Sequence, residues 1–277
     1  MQWTQRDQAV WDQIQIWIET LNEEKSNDFT NTYEKWMDHG FSIIPDHIKK
    51  PFFEKLDTWL FHLHSLIQST QFQEDARNRI LSTARVFDEE VNTIPEIKNL
   101  TIDQVSYIAD QHSARHRLYA FIQGGITGTG KTILLSSDFL VMIILNLRAV
   151  QIIAMSYGYD IKTPYEMMIS LKVFHAATLP KRLKGNAWGL LVRELGEQQY
   201  FYDGTDQITS YQSLEGPFKQ LVKVYFISLF QKEKDSKWTF IPLAVGAGAN
   251  YLFSRKVTDF ADKYYKFRYL QDKGWEK

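Results

Sequence analysis

Gly125-Ile126-Thr127-Gly128-Thr129-Gly130-Lys131-Thr132 satisfies the pattern G-x-x-x-x-G-K-[ST]. In that pattern backbone amides and a lysine cradle phosphates while the hydroxyl binds Mg²⁺. The chemistry needs a buried parallel strand directly before the loop, inside an α/β sheet. The residues found there, Ala114-Arg115-His116-Arg117-Leu118-Tyr119-Ala120, have the pattern of a helix and make a poor core strand. A second Mg²⁺ ligand would come from an apolar strand ending in Asp or Glu. The nearest candidate, 221–230, runs instead into Gln231-Lys232. The eight residues therefore read as a structural glycine loop in which Gly125, Thr127, Gly128 and Gly130 set the backbone. A P-loop NTPase binding nucleotide through Gly125, Gly130, Lys131 and Thr132 is the alternative.

His112 and His116 are spaced i, i+4, so both rings can face one metal ion. The residue after His112 is Ser113 rather than the Glu of H-E-x-x-H, and Asp110 falls on a different face. A metal-dependent hydrolase built on this pair is a second enzymatic alternative; no metal and no cofactor is implied by the spacing alone. His62 and His64 point to different sides of a helix and read as structural. Ser136-Ser137-Asp138 has no identifiable base, and no G-x-S-x-G elbow occurs. No catalytic residue is assigned.

Asp138 and Arg148 lie in the most apolar run of the chain, 133–155, and both are costly to bury unpaired. On a helix Ser137 and Arg148 fall within about 20° of each other, with Gln151 nearby. The result is a narrow polar stripe on an apolar helix. It suits the central helix of a bundle whose polar groups find partners; a membrane-inserted or lipid-contacting helix with its polar side turned inward is the other placement. The run is long enough to span a bilayer, but two ionisable groups and the glycine-rich entry weigh against a simple lipid-exposed span.

The elements that must position these residues read as helices throughout. Val10, Ile14, Trp17, Ile18 and Leu21 repeat at helical spacing. A second helix is expected around Tyr33 to Met37, with Gly40 as its C-cap. A third opens at Ile44-Pro45-Asp46, and another is expected from Gln73 to Val91, with Pro95 interrupting after it. Thr101 is a candidate N-cap for the next. The glycines from Gly124 to Gly130 are expected as a turn or loop, since each loses about 1 kcal/mol against Ala inside a helix. Residues 163–200 read as helical, with Pro164 near a start and Pro180 as a break, and 203–217 as a polar loop. The β-branched and aromatic stretch 221–230 fits helix or strand. The small-residue segment Pro242 to Asn250 precedes a basic-aromatic final helix with Phe260, Ala261 and Tyr264 on one face. Gly246, Ala247, Gly248 and Ala249 allow close packing, which is expected against the 133–155 helix.

The composition bounds the function. With 277 residues, 44% hydrophobic and 14% aromatic, the chain can bury a sizeable core. The net charge of −1 offers no global basic field for nucleic acid. The absence of cysteine removes disulfides, thiolate metal sites and a cysteine nucleophile together. The N-terminus lacks an apolar h-region, so a cytoplasmic location is expected.

Three stretches carry a family likeness. One is Gly125 to Gly130 followed by Ser137-Asp138, Asn146-Leu147-Arg148 and Tyr157-Gly158-Tyr159-Asp160. Another is Gly246-Ala247-Gly248-Ala249-Asn250-Tyr251, then Phe260-Ala261 and Phe267-Arg268-Tyr269-Leu270. The third is Ile44-Pro45-Asp46-His47-Ile48. Together they resemble the EcsC family of bacterial proteins, whose founding member is encoded beside the two components of an ABC transporter. The resemblance implies one helical domain over 1–277, with 1–39 as an N-terminal helical extension and 40–277 as the family-like region. It marks Gly125, Thr127, Gly128, Gly130, Asp138, Arg148, Tyr157, Gly158, Asp160, Gly246, Gly248, Asn250 and Arg268 as structural or binding positions. The expected protein is all-α, an irregular multi-helix bundle around the 133–155 helix, with a membrane-contacting hairpin as a variant. The implied role is that of a non-enzymatic accessory protein, peripheral to the cytoplasmic membrane, with ABC transporter subunits or membrane lipid as partners.

Overall fold

Thr4 starts the first helix with a capping box: its hydroxyl accepts from Asp7 N–H, and the Asp7 carboxylate accepts from Thr4 N–H. The same device recurs at Thr101, where Gln104 supplies the reciprocal acceptor, as the sequence predicts. The computed structural model describes residues 3–23, 25–55, 70–127, 137–196, 215–228 and 246–275. In chain order they form α1 (Gln5–Asn22), α2 (Phe29–Ile43), a helical stretch at 46–55, α3 (Thr70–Ala84), a 3₁₀ turn at Pro95–Asn99, α4 (Ile102–Thr127), α5 (Ser137–Ser156), α6 (Pro164–Thr178), α7 (Lys181–Gly196), α8 (Glu215–Ser228) and α9 (Gly246–Trp275). The described residues contain no strand, so the all-α expectation holds and 221–228 resolves as helix.

Several boundaries differ from the sequence reading. Gly124 to Thr127 continue α4 as its last turns rather than forming a loop. A helix terminus tolerates glycine, and tertiary context overrides propensity. Gly128, Gly130, Lys131 and Thr132 lie outside the described residues, as do 133–136 of the apolar run and His62 and His64. Gly246 to Asn250 belong to α9 instead of preceding it. Gly40 is not a C-cap; α2 runs on to Ile43, and Gly40 is where α2 meets α8, since a Cβ there would collide with the Ile227 side chain. The helix expected at 73–91 starts at Thr70 and stops at Ala84, followed by turns through Glu90.

Six of the seven residues 264–270 of α9 are buried, Lys266 alone being partly exposed. A helix covered on all sides must be central. α9 packs most extensively along α4, and also against α5, α6 and α1. α5 packs on α9 and shares the centre through Ile143, Leu147, Val150 and Ile153; the small residues 246–249, where the sequence places that contact, have side chains outside the described set. The α4–α9 pair is antiparallel: Tyr269 donates to Leu100 O near the start of α4, while Arg117 reaches Thr258 and Asp259 further along. The N-terminal helix is bound into this core by aromatic contacts. Trp11 stacks on Phe267, and Trp17 meets both Trp188 and Phe260 edge-on.

Candidate functional site

The end of α5 brings the polar groups together. Ser156 closes the helix, Gly158 N–H donates to Met155 O and Tyr159 N–H to Ala154 O, the paired bonds of a Schellman ending. Gly158 has φ +84°, and a Cβ there would lie 2.5 Å from Lys98 Cγ. Only glycine meets both demands. The turn places Tyr157 and Tyr159 in the core on either side of it.

Tyr157 donates to Asp262 Oδ1 at 2.7 Å and reaches Ser106 Oγ at 3.4 Å, joining α5, α9 and α4. Burial, with the Asp262 carboxylate beside it, pushes this phenol well above its ordinary range. Tyr159 donates to Asp272 Oδ2 at 3.0 Å, and Lys98 bonds the same oxygen at 2.7 Å. The Arg268 guanidinium lies 3.9 Å and the Lys98 ammonium 4.2 Å from the Tyr159 ring centre. Asp160 accepts from Arg77 of α3 and from its own Lys162 N–H, and Lys162 pairs with Glu74.

At the centre, Arg268 is 1% exposed and forks onto Glu166 of α6, each bond 2.6 Å long. Burial alone would lower the Arg268 pKa, but Tyr159 and the Glu166 carboxylate hold it above its ordinary value. Above the pair lie Tyr264 and Tyr265, both fully buried, their rings 5.1 Å apart. Their hydroxyls and Arg268 Nε have no protein partner, a polar group that internal water satisfies in other proteins. The arrangement binds helices together electrostatically and leaves its charges internally matched.

Of the positions marked by the sequence, Tyr157, Gly158, Asp160 and Arg268 converge here. Arg148 lies elsewhere, half-buried and near His116, with burial lowering its pKa. His112 and His116 are buried on α4, each held down to about 4 by burial and by neighbouring arginines. His112 meets the Thr83 hydroxyl at 3.4 Å. Among the described residues no three histidine or carboxylate side chains gather as a metal site. Asp138 lies in α5, its side chain outside the described set. Gly125 and Thr127 end α4, and Gly246, Gly248 and Asn250 begin α9, at the end of the antiparallel pair away from Arg268. Sequence reasoning missed Glu166 and Tyr265, and named Tyr264 only as part of one face of the final helix. Glu166 carries no signal beyond following the Pro164 helix start, whereas Tyr159 stood within the quoted motif.

The element before the glycine-rich pattern is a 26-residue helix, which removes the strand that a phosphate-binding loop requires. No curated protein and no solved structure matches the chain. Residues 8–270 match the EcsC protein family, a stretch that begins well before the motifs carrying the resemblance and includes almost all of α1 and α9. From its first helix to its last, the chain belongs to the EcsC protein family.

Proposed function

We propose that the protein is a non-enzymatic accessory protein that works beside an ABC transporter, held at the cytoplasmic face of the membrane. One observation carries the reading: polar groups of the family-like motifs are engaged by partners within the bundle. Arg268 is closed on Glu166, Tyr157 on Asp262 and Asp160 on Arg77. Groups bonded in this way fix a shape rather than activate a substrate. A rigid helical body with fixed internal geometry suits recognition of a partner surface. The transporter link comes from the gene neighbourhood of the family's founding member, which is association and not mechanism.

The test is membrane fractionation of native cells followed by in vivo crosslinking. The expected result is membrane-fraction protein crosslinked to the ATPase or permease subunit of an ABC transporter. Recovery only in the soluble fraction, with no transporter subunit crosslinked, would sink the reading. Saturable micromolar ATP binding that disappears in Lys131→Ala would replace it with the nucleotide alternative.

A further inference from the structure

Building on the peripheral placement proposed above, we infer that the bundle end formed by the close of α4, the opening of α5 and the opening of α9 is the surface that docks, inserting apolar side chains into an anionic lipid bilayer. The antiparallel register that pairs Arg117 with Thr258 brings Ile122 of α4 to the level of Tyr251 and Leu252 of α9. The electrostatic proximity of Arg148 to His116, together with the Tyr157–Ser106 bond, sets α5 antiparallel to α4 and carries Val141 to the same end. Leu118, Tyr119, Ile122, Val141, Tyr251 and Leu252 all stay exposed there, Leu118 at 53%, Ile122 at 48% and Leu252 at 59%. Elsewhere among the described residues the largest exposed apolar group is the trio Val86, Phe87 and Tyr107, whereas here six gather at one end; clustered exposure is what marks a contact surface.

The charges choose the occupant. On α4, Arg115 lies one turn toward the body from Leu118 and Tyr119; on α9, Arg255 and Lys256 lie one turn toward the body from Tyr251 and Leu252. Apolar tip and cationic collar thus repeat on two helices. Across 114–127 and 246–259 there are four cations, Arg115, Arg117, Arg255 and Lys256, against one carboxylate, Asp259, which pairs with both Arg117 and Arg255. That local excess stands out in a chain of net charge −1. A protein partner would not require it, but an anionic headgroup layer above a hydrocarbon interior matches the collar and the tip in order of depth. Tyr119 and Tyr251 are the amphipathic aromatics that settle at such a boundary. Among the described residues no helix is long and apolar enough to cross a membrane, so the tip enters the interface without a span.

The chain has no cysteine, which allows clean single-site labelling. Full-length protein carrying Leu252→Cys, labelled with an environment-sensitive fluorophore, is mixed with phosphatidylcholine vesicles with and without phosphatidylglycerol. Val86→Cys is the control, at an exposed position beside Phe87, which packs on Tyr107 in the first half of α4. The dye at 252 should shift to the blue with anionic vesicles, and the dye at 86 should not. Leu118→Glu with Leu252→Glu should lower vesicle co-sedimentation about tenfold while leaving circular dichroism and melting unchanged. Reversing Arg255 or Arg115 to Glu should lower binding roughly fivefold each, and only on anionic vesicles. Vesicle binding that survives the double variant, or a dye shift at 86, overturns the tip as the docking surface and leaves the peripheral reading standing. Membrane fractionation in cells without any vesicle binding in vitro also overturns it, and assigns membrane retention to a protein partner. A vesicle-free dye shift that rises with protein concentration, together with dimer formation, overturns it in favour of self-association. A melting point lowered by the double variant shows that the patch serves the fold, and overturns it too.

Discussion

The two ends of the α4–α9 pair are built by opposite rules. At the end where α9 finishes, charges are buried in matched pairs: Arg268 with Glu166, and Lys273 with Asp7. At the end where α9 begins, apolar side chains remain in solvent, with Arg115, Arg255 and Lys256 about one turn behind them along α4 and α9. The first arrangement makes geometry that resists change, because each buried ion depends on its partner. The second gains nothing for the isolated protein and acquires a purpose only against another surface. One end therefore holds the shape that the other end presents.

The sharpest break between the two ends is Glu166→Ala. It strands a guanidinium that is 1% exposed, and unfolding by urea should show a loss of about 3–5 kcal/mol. Glu166→Leu combined with Arg268→Met should lose less than Glu166→Ala alone, since no uncompensated charge remains. A double variant as damaged as the single one would mean that the pair's worth lies in packing on Tyr159 rather than in charge.

Acid should act on the middle of α4. His112 and His116 have folded-state pKa values of about 4 against an ordinary 6.5, so the unfolded chain binds protons first as pH falls. Stability is then full above about pH 6.5 and declines through the window down to about 4, on the order of 3 kcal/mol for each ring. The urea midpoint at pH 7 and at pH 4.5 measures this. His116→Phe should flatten the decline, because the ring that must charge is gone and its Nδ1 has no partner to lose. An unchanged acid slope in that variant would show that the ring is wetter than its burial implies.

Backbone demands come next. Gly158→Ala meets both a positive φ and the Lys98 backbone N at 3.2 Å, and should cost about 1–3 kcal/mol. Gly189→Ala in α7 meets nothing within 4 Å and should instead stabilise by up to about 1 kcal/mol. Thermal melts that fail to separate the two would remove the case for the Gly158 turn as a fixed hinge of the buried site.

Periodicity made the helices legible: Pro164 and Pro180 bracket α6, and Thr101 with Gln104 caps α4. The family-like Tyr157-Gly158-Tyr159-Asp160 and Arg268 were legible as motifs, and the structure joins them. Glycine misled in both directions. Gly40, Gly124 and Gly125 read as helix ends or loops, yet all lie within helices, because packing and position decide whether a glycine breaks a helix. Glu166 was not legible, since its role depends on a residue 102 positions away. The exposed end of α4 and α9 was invisible for a related reason: Leu118, Ile122 and Leu252 look like core residues in the sequence, and only the structure shows them exposed.

The smallest expected effect sharpens the comparison most. Leu252→Ser and Ile122→Ser remove apolar side chains that already face water, so the hydrophobic stabilisation of folding barely changes. Each should alter stability by less than about 0.5 kcal/mol. Leu270, on the same helix but fully buried, provides the reference: Leu270→Ala should cost about 2–5 kcal/mol through lost contacts and the cavity left behind. The two leucines lie eighteen residues apart on α9; with Leu252→Ala set beside Leu270→Ala the change in helix propensity is matched and only environment differs. Denaturant midpoints that fall equally for 252 and 270 would mean that the α9 entrance is part of the core, and the division of labour between the two ends would go with it. Midpoints that separate as expected leave the exposed leucines without any role in folding, which is the condition a contact surface has to meet.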